Sequence, residues 1–215
     1  MPLTFYGEQQ VAYPAIFGRT SAPATYYFGL QTATLYSAIG ASASVSLGTY
    51  MIPTNFNTFT VSGAGNNRIF VCTTAGTTGT TEPTWTSVAA AGSVTDGTVV
   101  WQDVAATTQW LGTTTPTFNE VSFTSTGYAR VSYANNTTNF PAPSGSTPTT
   151  GTNANIINFP TSTAAWGTLA AITIHTAATG GSVIAFAYLS KYLSVTSSGT
   201  TPSIPASTGL TLSLT

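Results

Sequence analysis

Hydrophobic positions in this chain come in short runs with a period of two, punctuated by glycine, proline and asparagine, and no stretch sustains 3.6-residue spacing. Thr25-Tyr26-Tyr27-Phe28-Gly29-Leu30, bounded by Pro23, predicts a buried aromatic strand. Ser44-Val45-Ser46-Leu47 and Phe56-Asn57-Thr58-Phe59-Thr60-Val61 alternate, with Pro53 between them and Gly63-Ala64-Gly65-Asn66-Asn67 after them as breakers. Tyr128-Ala129-Arg130-Val131-Ser132-Tyr133 alternates after Gly127. Residues 167–175 predict a strong strand, which Gly180-Gly181 turns into a second at 183–189, and Leu210-Thr211-Leu212-Ser213-Leu214 closes the chain with another alternation. The ends of the pattern are plainer. Leu3, Phe5 and Val11 alternate, and the segment between Pro14 and Gly18 is too short for an independent helix. Residues 105–118 predict a connector anchored by Trp110-Leu111, and 135–152 a polar loop. The sum is an all-β fold, an antiparallel sandwich or barrel with little helix.

The densest stretch is residues 70–102, which carries two of the four tryptophans, Cys72, Glu82 and Asp96. Asp96-Gly97 lies between the β-rich runs 93–95 and 98–101, so the pair predicts a hairpin with those two residues as its loop. Cys72, within Ile69-Phe70-Val71-Cys72, predicts a small buried hydrophobe on a strand.

Charge alters the picture of the surface. Charged residues make up 4% of the chain, against about 25% in ordinary soluble domains. With 42% hydrophobic and 12% aromatic residues the chain is not disordered. It predicts a hydroxyl-covered, near-neutral surface that favours self-association. A net charge of −1, with Arg19, Arg68, Arg130 and Lys191 scattered, argues against a nucleic-acid partner. No run of eighteen residues is apolar nearly throughout, so no membrane span is expected. MPLTFYGEQQ lacks the features of a secretory signal.

Catalytic chemistry has little to work with. His175 is the sole histidine, at the end of an apolar strand, where a packed or rim position is expected rather than a metal or catalytic one. The nucleophile elbow G-x-S-x-G is absent, and Gly63-Ala64-Gly65 is not followed by the Lys-Ser/Thr of a phosphate-binding loop. A carboxylate pair could come from Glu8, Glu82, Asp96, Asp103 and Glu120 alone, and the turn accounts for Asp96 and a loop for Glu82-Pro83. No catalytic residue, cofactor or metal is expected, and no enzymatic activity. Trp85 and Trp101 have two readings, a small tryptophan core or an exposed platform for stacking sugars; with Tyr50 they are the candidate glycan contacts.

Two groups of motifs carry a resemblance. Ala24-Thr25-Tyr26-Tyr27-Phe28-Gly29-Leu30-Gln31-Thr32, Gly127-Tyr128-Ala129-Arg130-Val131, Ile157-Asn158-Phe159-Pro160, Trp166-Gly167, Thr179-Gly180-Gly181 and residues 210–214 stand in the order found in bacteriophage tail-fibre-like virion structural proteins. The resemblance covers roughly residues 1–35 and 120–215. Cys72, Gly76-Thr77-Thr78-Gly79, Pro83, Trp85, Val94, Asp96-Gly97, Val99 and Trp101 resemble a small β module inserted in phage tail and receptor-binding proteins. The two together imply a discontinuous β assembly domain, 1–35 and 119–215, interrupted by an inserted module, 36–118, with the hairpin module proper at about 70–104. They imply a virion component on the tail, neck or capsid exterior. Its expected partners are copies of itself, with a trimer favoured, and other virion proteins. A host-glycan-binding module and a capsid decoration or cement protein are the alternatives.

Overall fold

The computed structural model describes residues 22–54, 68–85, 92–104, 119–142 and 149–214. The strand predicted at 56–61, the N-terminal alternation and the 105–118 connector lie outside them. In chain order the elements are β1 (Thr25–Thr32), β2 (Thr34–Leu35), the single helical turn α1 (Tyr36–Ile39), β3 (Ser44–Val45), β4 (Tyr50–Ile52), β5 (Phe70–Thr74), β6 (Gly76–Thr77), β7 (Ser93–Asp96) and β8 (Val99–Asp103). They continue with β9 (Val131–Ala134), β10 (Thr149–Thr152), β11 (Ile157–Asn158), β12 (Gly167–His175), β13 (Val183–Val195), β14 (Ser203–Ile204) and β15 (Thr211–Leu214). The all-β expectation holds.

Two sheets stack. One has the order β13-β12-β1-β9, the other β2-β4-β5-β8-β7, and the pairs are antiparallel except β2 with β4. Three apolar layers follow from the two-residue period of strands. Phe28, Leu30, Leu169 and Ile172 face outward from the first sheet onto Tyr128, Phe159, Trp166 and Ile204. Ala170, Ala171, Val183 and Phe186 meet Ile52, Ile69, Val71 and Val104 between the sheets. Beyond the second sheet lie Tyr36, Met51, Phe70, Cys72, Trp85, Val99 and Trp101. β5 explains why Ile69-Phe70-Val71-Cys72 is continuously apolar: alternate residues feed cores on opposite faces.

The predicted hairpin at 167–189 forms as β12 and β13, but β13 runs on to Val195 past Ser190-Lys191. The alternation at 128–133 yields strand at β9 alone. Gly127, with φ +71°, turns the chain just before it, and Arg130 reaches away to Glu120. The predicted loop 135–152 contains β10, which pairs with β15. Side-chain amides stitch this region where other proteins would use ion pairs. Asn153 Nδ2 donates to the carbonyls of Asn155 (2.8 Å) and Pro205 (2.9 Å), and its Oδ1 accepts from Leu210 N (3.1 Å).

The largest departure is at the β7–β8 turn. Asp96 pairs with Val99, so the loop is Gly97-Thr98 and Asp96 is the last residue of a strand. One residue of slip exchanges the faces of a strand, and it sends the Asp96 carboxylate inward, 3% exposed. Gly97 stands first in the loop at φ +63°, the position that favours glycine in a two-residue hairpin. A Cβ there would also collide with the Thr77 carbonyl and approach Gly79 N to 2.8 Å. Gly97→Ala is therefore expected to lower stability by more than about 2 kcal/mol, through the left-handed φ and the collision together. Urea unfolding of the purified variant measures it, and a change within about 0.5 kcal/mol would contradict the docked-turn geometry.

Candidate functional site

Two largely internal polar centres gather three of the chain's nine charged residues, Asp96 in one and Glu120 with Arg130 in the other. The first is Asp96. Its Oδ1 accepts from Gly79 N at 2.7 Å, and its Oδ2 accepts from Tyr36 O–H at 2.9 Å and Trp101 Nε1 at 3.3 Å. The segment Gly76-Thr77-Thr78-Gly79 brings the first donor. Thr98 N donates to Thr77 O (2.9 Å), Thr77 N to Thr98 Oγ1 (2.8 Å), and Thr78 Oγ1 to Gly40 O (2.9 Å). One carboxylate thus ties α1, the 76–79 segment and β8 together. Burial, then the bond to Asp96, raises the Tyr36 pKa well above the usual phenol value. Glu82 plays a smaller version of the same part, its Oε1 accepting from Trp85 Nε1 (2.8 Å) and Thr54 N (2.9 Å).

The second centre lies on the first sheet. Glu120 accepts from Arg130 through Nε to Oε1 (2.8 Å) and Nη2 to Oε2 (2.7 Å), a two-pronged pair. Tyr128 O–H donates to Glu120 Oε1 at 2.8 Å and its oxygen accepts from Leu30 N at 2.8 Å. Burial, then the Glu120 charge, raises the Tyr128 pKa. His175 and Thr173 of β12 and Gln31 of β1 complete the group. Between the sheets Asp103, fully buried, pairs with Arg68 and accepts from Tyr188 O–H at 3.0 Å.

Each of the four described carboxylates therefore serves an internal contact, and none stands in an open cleft as a general acid or base. Among the described residues no cluster of three His, Cys, Asp or Glu could hold a metal. Burial pushes the Cys72 thiol up, away from the reactive thiolate. Among the described residues no helix is long and apolar enough to cross a membrane.

The candidate glycan contacts separate. Trp85 is 2% exposed and Trp101 is fully buried, with Trp85 packed on Phe70 (ring centroids 4.7 Å apart) and Tyr36 (5.9 Å). Neither indole offers a face on which a sugar could stack. Tyr50 is half-buried and packs with Tyr188 and Tyr192 against the layer between the sheets. The reading of Asp96 as a turn residue needs correction, because its side chain is the hub of the module. In the sequence Glu120 reads only as a candidate catalytic carboxylate and Arg130 only as a scattered cation within the Gly-Tyr-Ala-Arg motif; their pairing goes unread. The signal was there: in a chain with 4% charged residues, a carboxylate and a guanidinium ten positions apart around Gly-Tyr-Ala-Arg deserve pairing.

A family model described as podophage GP4 fiber I protein gp80 matches residues 104–212, just over half of the 215 residues. The chain belongs to this gp80 fibre family. No curated protein sequence matches it. The family match contains Glu120, Tyr128, Arg130, Thr173 and His175, so the second polar centre lies almost wholly within the fibre-family region. The motif around Cys72, Trp85 and Trp101 precedes the match. As a phage fibre protein the chain has a virion-associated place, and the tail-fibre-like resemblance read from its motifs holds.

Proposed function

We propose that this fibre-family chain is an exposed structural component of a tailed phage, on the tail or neck, that assembles with copies of itself and with other virion proteins and has no catalytic role. Residues 1–35 and 119–215 would be the assembly domain, and 36–118 a module carried on it. The observation that carries the reading is the gp80 fibre match over 104–212. The chemistry agrees with it: the described carboxylates are committed to internal clamps, leaving a surface of hydroxyl and amide groups that can be buried between subunits without desolvating ions. A trimer is the favoured assembly. Sedimentation of the recombinant chain at micromolar concentration is expected to show an oligomer, insensitive to salt because few ion pairs cross the interfaces. A stable monomer throughout that range would contradict self-assembly.

A further inference from the structure

Beside Gly29 the structure gathers side chains from three distant parts of the chain around one imidazole. His175 Nε2 lies 2.7 Å from Thr173 Oγ1, and Gln31 Nε2 donates to that same hydroxyl at 2.8 Å. With Gln31 donating into one lone pair of Thr173 Oγ1, we assign the hydroxyl proton to His175 Nε2 and the ring's own proton to Nδ1. His175 Nδ1 and Gln31 Oε1 are buried and have no hydrogen-bond partner among the described residues.

Arg130 fixes what surrounds the ring. Besides its two bonds to Glu120, its Nη1 donates to the carbonyls of Ala177 and Gly180, both at 2.7 Å, pinning the loop 176–182 to the sheet. Thr176 and Ser182 close the base of that loop, N to O at 3.0 Å and Ser182 N to Thr176 Oγ1 at 3.0 Å. The group packs directly over Gly29, where an added Cβ would sit 2.8 Å from Glu120 Oε1 and 3.0 Å from His175 Nε2, so only glycine leaves room for it. His175 ends β12 at a register shift, directly before the pinned loop. The charged and titratable groups facing it are Arg130, Glu120, Tyr128 and Tyr27, the last standing directly opposite it on β1; β1 also contributes Gly29 and Gln31, β12 contributes Thr173, β13 contributes Val183, and loop 176–182 has no titratable side chain.

We propose that this centre is an acid-released latch, in which protonation of His175 frees the loop 176–182 from Arg130 while the two sheets stay folded. A proton arriving from solvent on Nε2 turns an acceptor into a donor, so the buried Thr173 hydroxyl, now accepting from both His175 and Gln31, must turn its own proton away from the ring. It also places a cation beside a guanidinium that four hydrogen bonds prevent from withdrawing. The outlet is to open the loop and expose the ring. Burial first, then Arg130, lowers the His175 pKa to about 3 from 6.5. The closed latch therefore has its full stability above 6.5 and loses it as pH falls from there towards 3, since the open form binds the extra proton.

Hydrogen exchange of the 176–182 amides, corrected for intrinsic rates, tests this in the full chain at about pH 7 and about pH 5. Wild type is expected to lose roughly twenty-fold in protection over that interval, with β1 amides unchanged. His175→Gln, which keeps an acceptor and cannot titrate there, is expected to change less than about twofold. Unchanged protection in wild type, an equal loss in the variant, or exchange of the whole sheet together would overturn the latch. If the variant fails to fold, wild-type NMR decides: ring protonation in step with the shifts of loop 176–182 supports the proposal, and a ring that titrates while the loop stays put refutes it.

Discussion

Asp96→Ala is expected to lower stability by about 3–5 kcal/mol, a large share of what a domain this size has. The carboxylate is buried, and its removal strands three donors at once: Gly79 N, the Tyr36 hydroxyl and the Trp101 indole. Each buried group left unpaired costs about 1–3 kcal/mol, softened where the cavity relaxes or admits water. Asp96→Asn should fall between, because its carbonyl keeps the bond from Gly79 while its amide nitrogen faces the Trp101 N–H. Urea midpoints followed by tryptophan emission report the loss directly, since Trp85 and Trp101 sit in the affected core. Variants indistinguishable from wild type would mean that Asp96 is not the hub described.

The second large effect is expected at Arg130. Its side chain is 5% exposed and that of Glu120 16%, so Arg130→Ala leaves a largely buried carboxylate with one remaining partner, Tyr128, and uncovers two loop carbonyls. Breaking such a pair from one side costs about 3–5 kcal/mol. Arg130→Lys should recover little, because an ammonium cannot span both oxygens of Glu120 and both carbonyls of the loop. The double change Arg130→Met with Glu120→Gln should recover most of the loss, as removing both charges removes the desolvation problem. A double variant as unstable as Arg130→Ala would show that the loop contacts, not the ion pair, dominate.

How far the sequence leads can be seen at these two centres. The Asp96-Gly97 signal placed a hairpin correctly but set its loop one residue early. The deciding contact is tertiary: Thr77 docks on Thr98 and on the space beside Gly97, twenty residues back in the chain, and only the loop Gly97-Thr98 leaves that space open. Local turn preference cannot report such a contact. The Glu120 centre was hidden for another reason. Gln31, Glu120, Arg130, Thr173 and His175 are neighbours because β1 lies between β12 and β9, an order that no periodicity encodes. By contrast β1, β12 and the start of β13 were legible, since long apolar runs with period two and a Gly-Gly turn leave few alternatives. Helix was rightly expected to be scarce. Lys191 obscured the second half of β13, because a charge in a strand reads as its end, whereas here it lies on an exposed stretch of the continuing strand.

The claim on which the rest depends is that this chain is a fibre component of the particle. Electron microscopy of purified phage labelled with antibody to the chain, with mass spectrometry of the same particles, tests it most directly. The expected result is several copies per particle and label on tail or neck fibres. Absence of the chain from purified particles, or label confined to the head, would contradict it.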